Sequence, residues 1–212
     1  MTSTIAFPEN DNQHLFNPED IEYVEANDER LVDLPWYPNL EYLYCSNNFL
    51  TYIHNYPKLL TLWCYSNQLD NLPMYNDLLD LDCHLNLLTE LPDYPNLRYL
   101  DCSWNQLTKI PNCPNLTNLY CHFNQITELP DLQLLRYLDC SRNKDLKIPY
   151  IRGLISLDCY GCHHFEQAGI TDINSYRKFL DRVDLIVILL IWSKSFGILP
   201  TDIIRFMYKY IA

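Results

Sequence analysis

The chain has 212 residues, 48% of them hydrophobic, and carries 27 Asp and Glu against 15 Lys and Arg, a formal charge of −12. So acidic a chain has no basic stripe with which to displace counterions from a phosphate backbone, which excludes nucleic acid as the expected partner. Its longest apolar run, Leu185 to Trp192, falls short of the roughly 20 residues that a spanning helix needs. The first residues show neither the basic nor the apolar segment of a signal peptide, so a cytoplasmic, reducing location with no membrane contact is expected.

Residues 1–20 are polar and read as an N-terminal arm. Within them Asn17-Pro18-Glu19-Asp20 has the form of a helix start, with Asn as cap, Pro at the first position and acids in the first turn. Residues 21–39 read as a degenerate capping repeat. Ile21, Val24, Ala26, Leu31 and Leu34-Pro35 fall into the frame of the units that follow, with Glu29 where those units carry Asn.

Residues 40–162 are periodic. Cys45, Cys64, Cys83, Cys102, Cys121, Cys140 and Cys159 lie 19 residues apart, each with Leu two and five positions before it. Three positions after stand Asn48, Asn67, Asn86, Asn105, Asn124 and Asn143, until Cys162 takes the place. In each unit L-x-L-x-C alternates, as in a strand with one apolar face. One such strand cannot bury that face alone, whereas stacked units share a continuous core. The Asn sits where the chain leaves the strand, and its amide can satisfy backbone groups that the turn would leave unpaired. Leu50, Leu69, Leu88, Leu107 and Ile126 form the next inner column. The sixth unit has Asp145 there, with Leu146 one place late, which predicts a local distortion. Pro after Leu72, Leu91, Ile110, Leu129 and Ile148 predicts an extended return. On that return Tyr37, Tyr56, Tyr75 and Tyr94, then Cys113, Leu132 and Ile151, are expected to close the core from outside.

The unit L-x-x-L-x-C-x-x-N-x-L-x-x-L/I-P resembles that of leucine-rich repeat proteins over about two-thirds of the chain. Its Asn- and Tyr-rich wording with C-S-x-N-x-L looks most like the leucine-rich repeat proteins of giant DNA viruses of the mimivirus type. The resemblance implies an α/β-type solenoid: a parallel β-sheet on the concave face, a polyproline-like convex side and a helical C-terminal cap over residues 163–212. It further implies a non-enzymatic protein–protein interaction scaffold. The L-x-x-L-P unit is also similar to that of bacterial leucine-rich effectors, some of which carry a ubiquitin-ligase domain with a catalytic cysteine after the repeats. No cysteine follows Cys162, so that activity is not carried over.

The alternation turns three columns to the solvent side of the strands. They contain Tyr42, Tyr99 and Tyr137; then Tyr44, Trp63, Asp82, Asp101, Tyr120, Asp139 and Asp158; then Ser46, Tyr65, His84, Ser103, His122, Ser141 and Tyr160, with Trp104 and Phe123 at the rim. Aromatic side chains on a rigid surface give large contact area at low entropy cost, although tyrosine also suits any strand. Asp82 beside Asp101, and Asp139 beside Asp158, place like charges across neighbouring strands, which is destabilising and which a basic protein partner would relieve. The candidate partner-binding set is therefore Tyr42, Tyr44, Trp63, Tyr65, Asp82, His84, Asp101, Trp104, Tyr120, His122, Phe123, Asp139 and Asp158.

Cys159-Tyr160-Gly161-Cys162-His163 spells the haem-attachment pattern C-x-x-C-H, with His164 following. A structural zinc needs four converging ligands, and Cys159, Cys162, His163 and His164 are the set on offer. The repeat frame accounts for the two cysteines without either group: Cys159 continues the core column and Cys162 stands in for Asn. No cofactor and no metal are expected, and the core cysteines are expected to be reduced thiols.

Beyond His164 the pattern turns helical. Thr171 or Asp172 can cap a helix from Ile173 to about Trp192, apolar at Tyr176, Phe179, Leu180, Val183, Val187 and Leu190. A last helix is expected from Thr201 to Tyr210. The run from Leu199 to Ile211 resembles the first helix of an F-box, L-P-x-[DE]-I/L-I/L. Under that resemblance Leu199, Pro200, Ile203 and Ile204 would bind a Skp1-type protein, and the chain would be a substrate adaptor for a cullin-type ubiquitin ligase. The alternative is an amphipathic helix that closes the end of the solenoid.

Overall fold

A computed structural model describes residues 3–6 and 17–196, with side chains from 17 to 187. Among these residues nine strands form one parallel sheet in strict chain order: β1 Ser3–Ala6, β2 Ile21–Glu25, β3 Tyr42–Tyr44, β4 Thr61–Trp63, β5 Asp80–Asp82, β6 Tyr99–Asp101, β7 Asn118–Tyr120, β8 Tyr137–Asp139 and β9 Ser156–Asp158. From β2 to β9 every pair in the register joins residues 19 places apart, as in Leu81 with Leu100 and Leu100 with Leu119. The repeat in the sequence is thus the register of the sheet, and the chain winds as a leucine-rich repeat solenoid.

Both sequence readings of residues 17–25 survive in part. Asn17 accepts from the Glu19 amide and starts one 3₁₀ turn, Pro18–Asp20, which runs directly into β2. Ile21, Val24 and Ala26 of β2 join the core. The edge of β2 is in turn covered by β1, which belongs to the stretch read as an arm.

The core is a stack of side chains from successive turns. Leu43, Leu62, Leu81, Leu100 and Leu119 are buried together with the cysteine column and the column of Leu50, Leu69, Leu88, Leu107 and Ile126. All nine cysteines are free thiols and buried. Burial pushes the Cys113 thiol up to about 11 and the Cys159 thiol up to about 12, so these two act as small core hydrophobes rather than nucleophiles.

The asparagine ladder works as the sequence suggests, and in more detail. Asn105 Nδ2 donates to the carbonyls of Cys83, Cys102 and Ser103 at 3.0, 3.2 and 3.2 Å, while its Oδ1 accepts from the Leu88 amide at 2.9 Å. One side chain therefore ties its own turn to the preceding one. The residue before each Asn sits in the left-handed region: Asn47, Ser66, Leu85, Trp104, Phe123 and Arg142 have φ between 53 and 59°, and Gly161 has φ 73°. On the convex side Tyr56, Tyr75 and Tyr94 are buried, and their hydroxyls donate to the carbonyls of Pro35, His54 and Pro73 one turn back.

The last turns depart from the pattern. Leu146, not Asp145, enters the core, and the Lys147 amide bonds to the Thr127 carbonyl. Cys162 does replace Asn: its thiol donates to the Cys140 carbonyl at 3.1 Å, the bond that Asn143 makes to Cys121. A short helix α1, His163–Gln167, and a long one, α2, Ile173–Phe196, follow. Asp172 caps α2 by accepting from the Ser175 amide, and Ser175 Oγ accepts the Asp172 amide in return, a reciprocal cap. Tyr176 and Leu180 bury against the last turn, and the Tyr176 hydroxyl donates to the Pro149 carbonyl at 2.7 Å. Pro149 stands in the column of Pro35 and Pro73, so the helix supplies the bond that the tyrosines make earlier. Val187, expected inward, is exposed, and Ile186 is buried instead. Among the described residues no helix is long and apolar enough to cross a membrane.

Candidate functional site

The concave sheet face divides into an aromatic half and a carboxylate–imidazole half. In the first, Tyr44 meets Trp63 edge to face at 5.2 Å and Tyr23 at 5.4 Å, with Tyr42 beside Tyr23 at 6.5 Å. Tyr42 and Trp63 are exposed, and the indole NH of Trp63 donates to Asp80 at 2.8 Å. Sequence reasoning did not include Tyr23 or Asp80 in the candidate set. Tyr23 lies 19 residues before Tyr42, so the columns would have found it had they been extended back into the degenerate repeat.

The second half is built around Asp82, His84, Asp101, His122 and Asp139. Tyr65 stacks on His84 at 4.5 Å with the rings within 10° of parallel, and His84 Nδ1 lies 2.6 Å from Asp82 Oδ1. Asp101 accepts from the Ser103 hydroxyl and amide, and Ser103 Oγ lies 2.9 Å from His122 Nδ1, which is 3.1 Å from Asp139 Oδ2. The serine, the histidine and the two carboxylates are thus linked by close polar contacts across three strands. The rings of Tyr99 and Tyr120, on the same two neighbouring strands, lie 5.6 Å from each other.

The acids have a local job that the sequence reading missed. Each strand ends at the residue before the core cysteine, and the amide two places on leaves the ladder. Asp82, Asp101, Asp139 and Asp158 accept from the amides of His84, Ser103, Ser141 and Tyr160. This is an Asx turn, written D-C-S at Asp101 and Asp139, D-C-H at Asp82 and D-C-Y at Asp158. Ser46 and Ser103, read as solvent-facing, are buried. Ser103 Oγ has Asp101 to donate to, whereas Ser46 follows Tyr44, and its Oγ is buried without a hydrogen bond.

The expected cross-strand acid pairs are present, Asp82 against Asp101 and Asp139 against Asp158. Burial raises the Asp82 carboxyl above its usual range, the His84 hydrogen bond opposes this, and the Asp101 charge adds to the rise. Burial likewise raises Asp80. Asp82 Oδ2 and Asp101 Oδ2 have no hydrogen-bond partner among the described residues. One set of possible metal ligands converges there, Asp82, His84 and Asp101, with ligand atoms within 4.8 Å of one another. At the C-x-x-C-H stretch, Cys159 lies in the core and Cys162 bonds to Cys140, while His163 and His164 are exposed on α1.

Trp104 and Phe123 do not lie on the sheet face. They stand on the lip where the chain leaves the strands, stacked at 3.9 Å. Leu199, Pro200, Ile203 and Ile204, and the expected last helix, lie outside the described residues.

A family description, Leucine Rich repeats (2 copies), matches residues 95–134. Among solved structures the chain is similar to YopM from Yersinia enterocolitica WA-314, at 32% identity and a TM-score of 0.61, over 68% of this chain and 34% of that one. It thus spans about a third of the YopM chain. No curated protein matches it in sequence.

Proposed function

With the chain a leucine-rich repeat solenoid, an architecture that serves as a protein-interaction scaffold, we propose that it is non-enzymatic and binds a basic protein segment on its concave face. The observation that carries this reading is the Asp82–Asp101 pair, two neighbouring carboxylates with free outer oxygens, set beside exposed aromatic surface. A lysine or arginine there gains two charge-assisted hydrogen bonds and relieves the like-charge contact. An apolar neighbour of that cation would rest on Tyr44 and Trp63. The F-box-like run gives a second reading, an adaptor that holds a Skp1-type protein through Leu199, Pro200, Ile203 and Ile204.

One affinity purification tests both. The full chain is run beside Tyr44→Ala/Trp63→Ala, Asp82→Asn/Asp101→Asn and Leu199→Ala/Pro200→Ala. Partners recovered are identified, and their affinities are measured with purified protein. The two concave variants should fold as the parent and weaken a basic partner by about 2 kcal/mol or more, roughly thirtyfold. Unchanged binding refutes the concave site. Recovery of Skp1-type and cullin proteins only with an intact Leu199-Pro200 supports the adaptor.

A further inference from the structure

The lip of the solenoid carries a feature that neither the core nor the concave site uses. The fold requires φ near +55° at the residue before each Asn, a region where a bulky side chain is an outlier and Asn or Gly fits best. The first turn complies with Asn47 and the last with Gly161, and the second has the small Ser66. Between them stand Leu85, Trp104, Phe123 and Arg142 at φ 53, 54, 53 and 59°. These side chains do not repay the strained backbone by filling the core, since Trp104 is 47% and Phe123 40% exposed. They stack on one another instead. The Trp104 ring lies on Phe123, and the Arg142 guanidinium sits 5.7 Å from the Phe123 ring and 4.5 Å from that of Tyr160. Gly161 completes the arrangement, because a Cβ there would come within 3.2 Å of Arg142 Cδ.

This ladder walls a shallow cleft of about 370 Å³, with the Gln106 and Gln125 side chains along it. The guanidinium is held by aromatic faces alone. In a chain with 27 acidic side chains, Arg142 has no carboxylate partner among the described residues. Its edge offers donors in a fork suited to a carboxylate, and the stacked rings beside it offer an apolar shelf.

We infer that this lip is a second docking surface, separate from the concave face, for an acidic protein segment that sets a carboxylate on Arg142 and an adjacent apolar side chain on Trp104 and Phe123. The two surfaces then have opposite charge preferences. The two glutamines can hold the backbone of an extended peptide along the cleft. Backbone strain at outward-facing aromatic residues is spent on presentation, which is where strain concentrates at functional surfaces.

The test uses the full chain and fluorescein-labelled peptides of one length, stepped in charge from basic to acidic, each with and without a leucine. Binding is read by anisotropy. Acidic peptides that carry leucine should bind, and more weakly as salt rises. Arg142→Gln should weaken them about tenfold or more. Trp104→Asn should weaken them as well while its melting temperature stays level or rises, because Asn suits the left-handed backbone. Asp82→Asn/Asp101→Asn, which cripples the concave site, should leave them unchanged, so the two readings fail separately. The proposal is overturned by any of three results. They are no selective binding of the acidic peptides, affinity indifferent to Arg142→Gln, or a lower melting temperature for Trp104→Asn, which would make the ladder structural support.

Discussion

The middle turns of the solenoid and its last turn solve the same problem with different parts. Between β4 and β7 each turn has a buried leucine on the strand, an inner leucine or isoleucine and an asparagine that makes three donations and one acceptance. In the last two turns Leu146 enters from a shifted place, Leu157 is only partly buried, and Cys162 makes a single thiol bond. The helix α2 makes up part of the difference through Tyr176, which donates to Pro149 and accepts from the Ile151 amide. What each turn needs is a donor beneath the preceding carbonyl and apolar volume beside it, and the residue that provides them can vary where a helix closes the end.

The strongest way to break this comparison is in the leucine column. Leu100→Ala should cost about 2–5 kcal/mol, as buried leucine truncations do, because Leu100 is packed between Leu81 and Leu119 on both sides. Leu157→Ala, in the last strand and partly exposed, should cost well under that. Urea unfolding of the two variants decides it, and equal costs would mean that α2 packs the end as tightly as a repeat.

A smaller effect is expected in the asparagine ladder. Asn105→Ala strands the Leu88 amide and leaves the Cys83 carbonyl with Asn86 as its remaining side-chain donor, which should cost about 1–3 kcal/mol. Cys162→Ala removes one weak thiol donor and should cost about 1 kcal/mol or less. A larger loss at Cys162 than at Asn105 would show that the end of the solenoid depends on that single bond.

The solenoid was legible because its period is also its register, so every column in the sequence is a column in space. That holds even for Cys162, whose place in the frame outweighed the C-x-x-C-H spelling, and for Tyr56, Tyr75 and Tyr94, whose burial follows from position rather than residue type. The candidate site was less legible. Column arithmetic placed Asp82 beside Asp101, but it could not show that each carboxylate first serves an amide two residues on, since that depends on where the strand ends. It also put Ser46 and Ser103 outward, because strict alternation was extended past the last strand residue into the turn. Trp104 and Phe123 were read at the rim, but not their left-handed backbone there, since a backbone angle is not written in a hydrophobic pattern.

The smallest effect concerns charge in the middle turns. Burial lifts the Asp82 carboxyl above the usual 3.8, Asp101 across the strand adds to this, and the His84 hydrogen bond only partly opposes it. A carboxyl whose folded pKa exceeds its unfolded value destabilises the fold while ionised. The penalty is fully present above the folded pKa, falls as the pH drops through it, and vanishes below the unfolded value. Asp82→Asn should therefore stabilise the chain slightly at neutral pH, with the gain shrinking to nothing as the pH falls below 3.8. The measurement is the urea midpoint of parent and variant across a pH series. A variant less stable than the parent at neutral pH would mean that the bonds from Asp82 to the His84 ring and amide outweigh the cost of burying its charge. The middle of the concave face would then be held together by its acids rather than strained by them, and the case for a basic partner would lose its energetic footing.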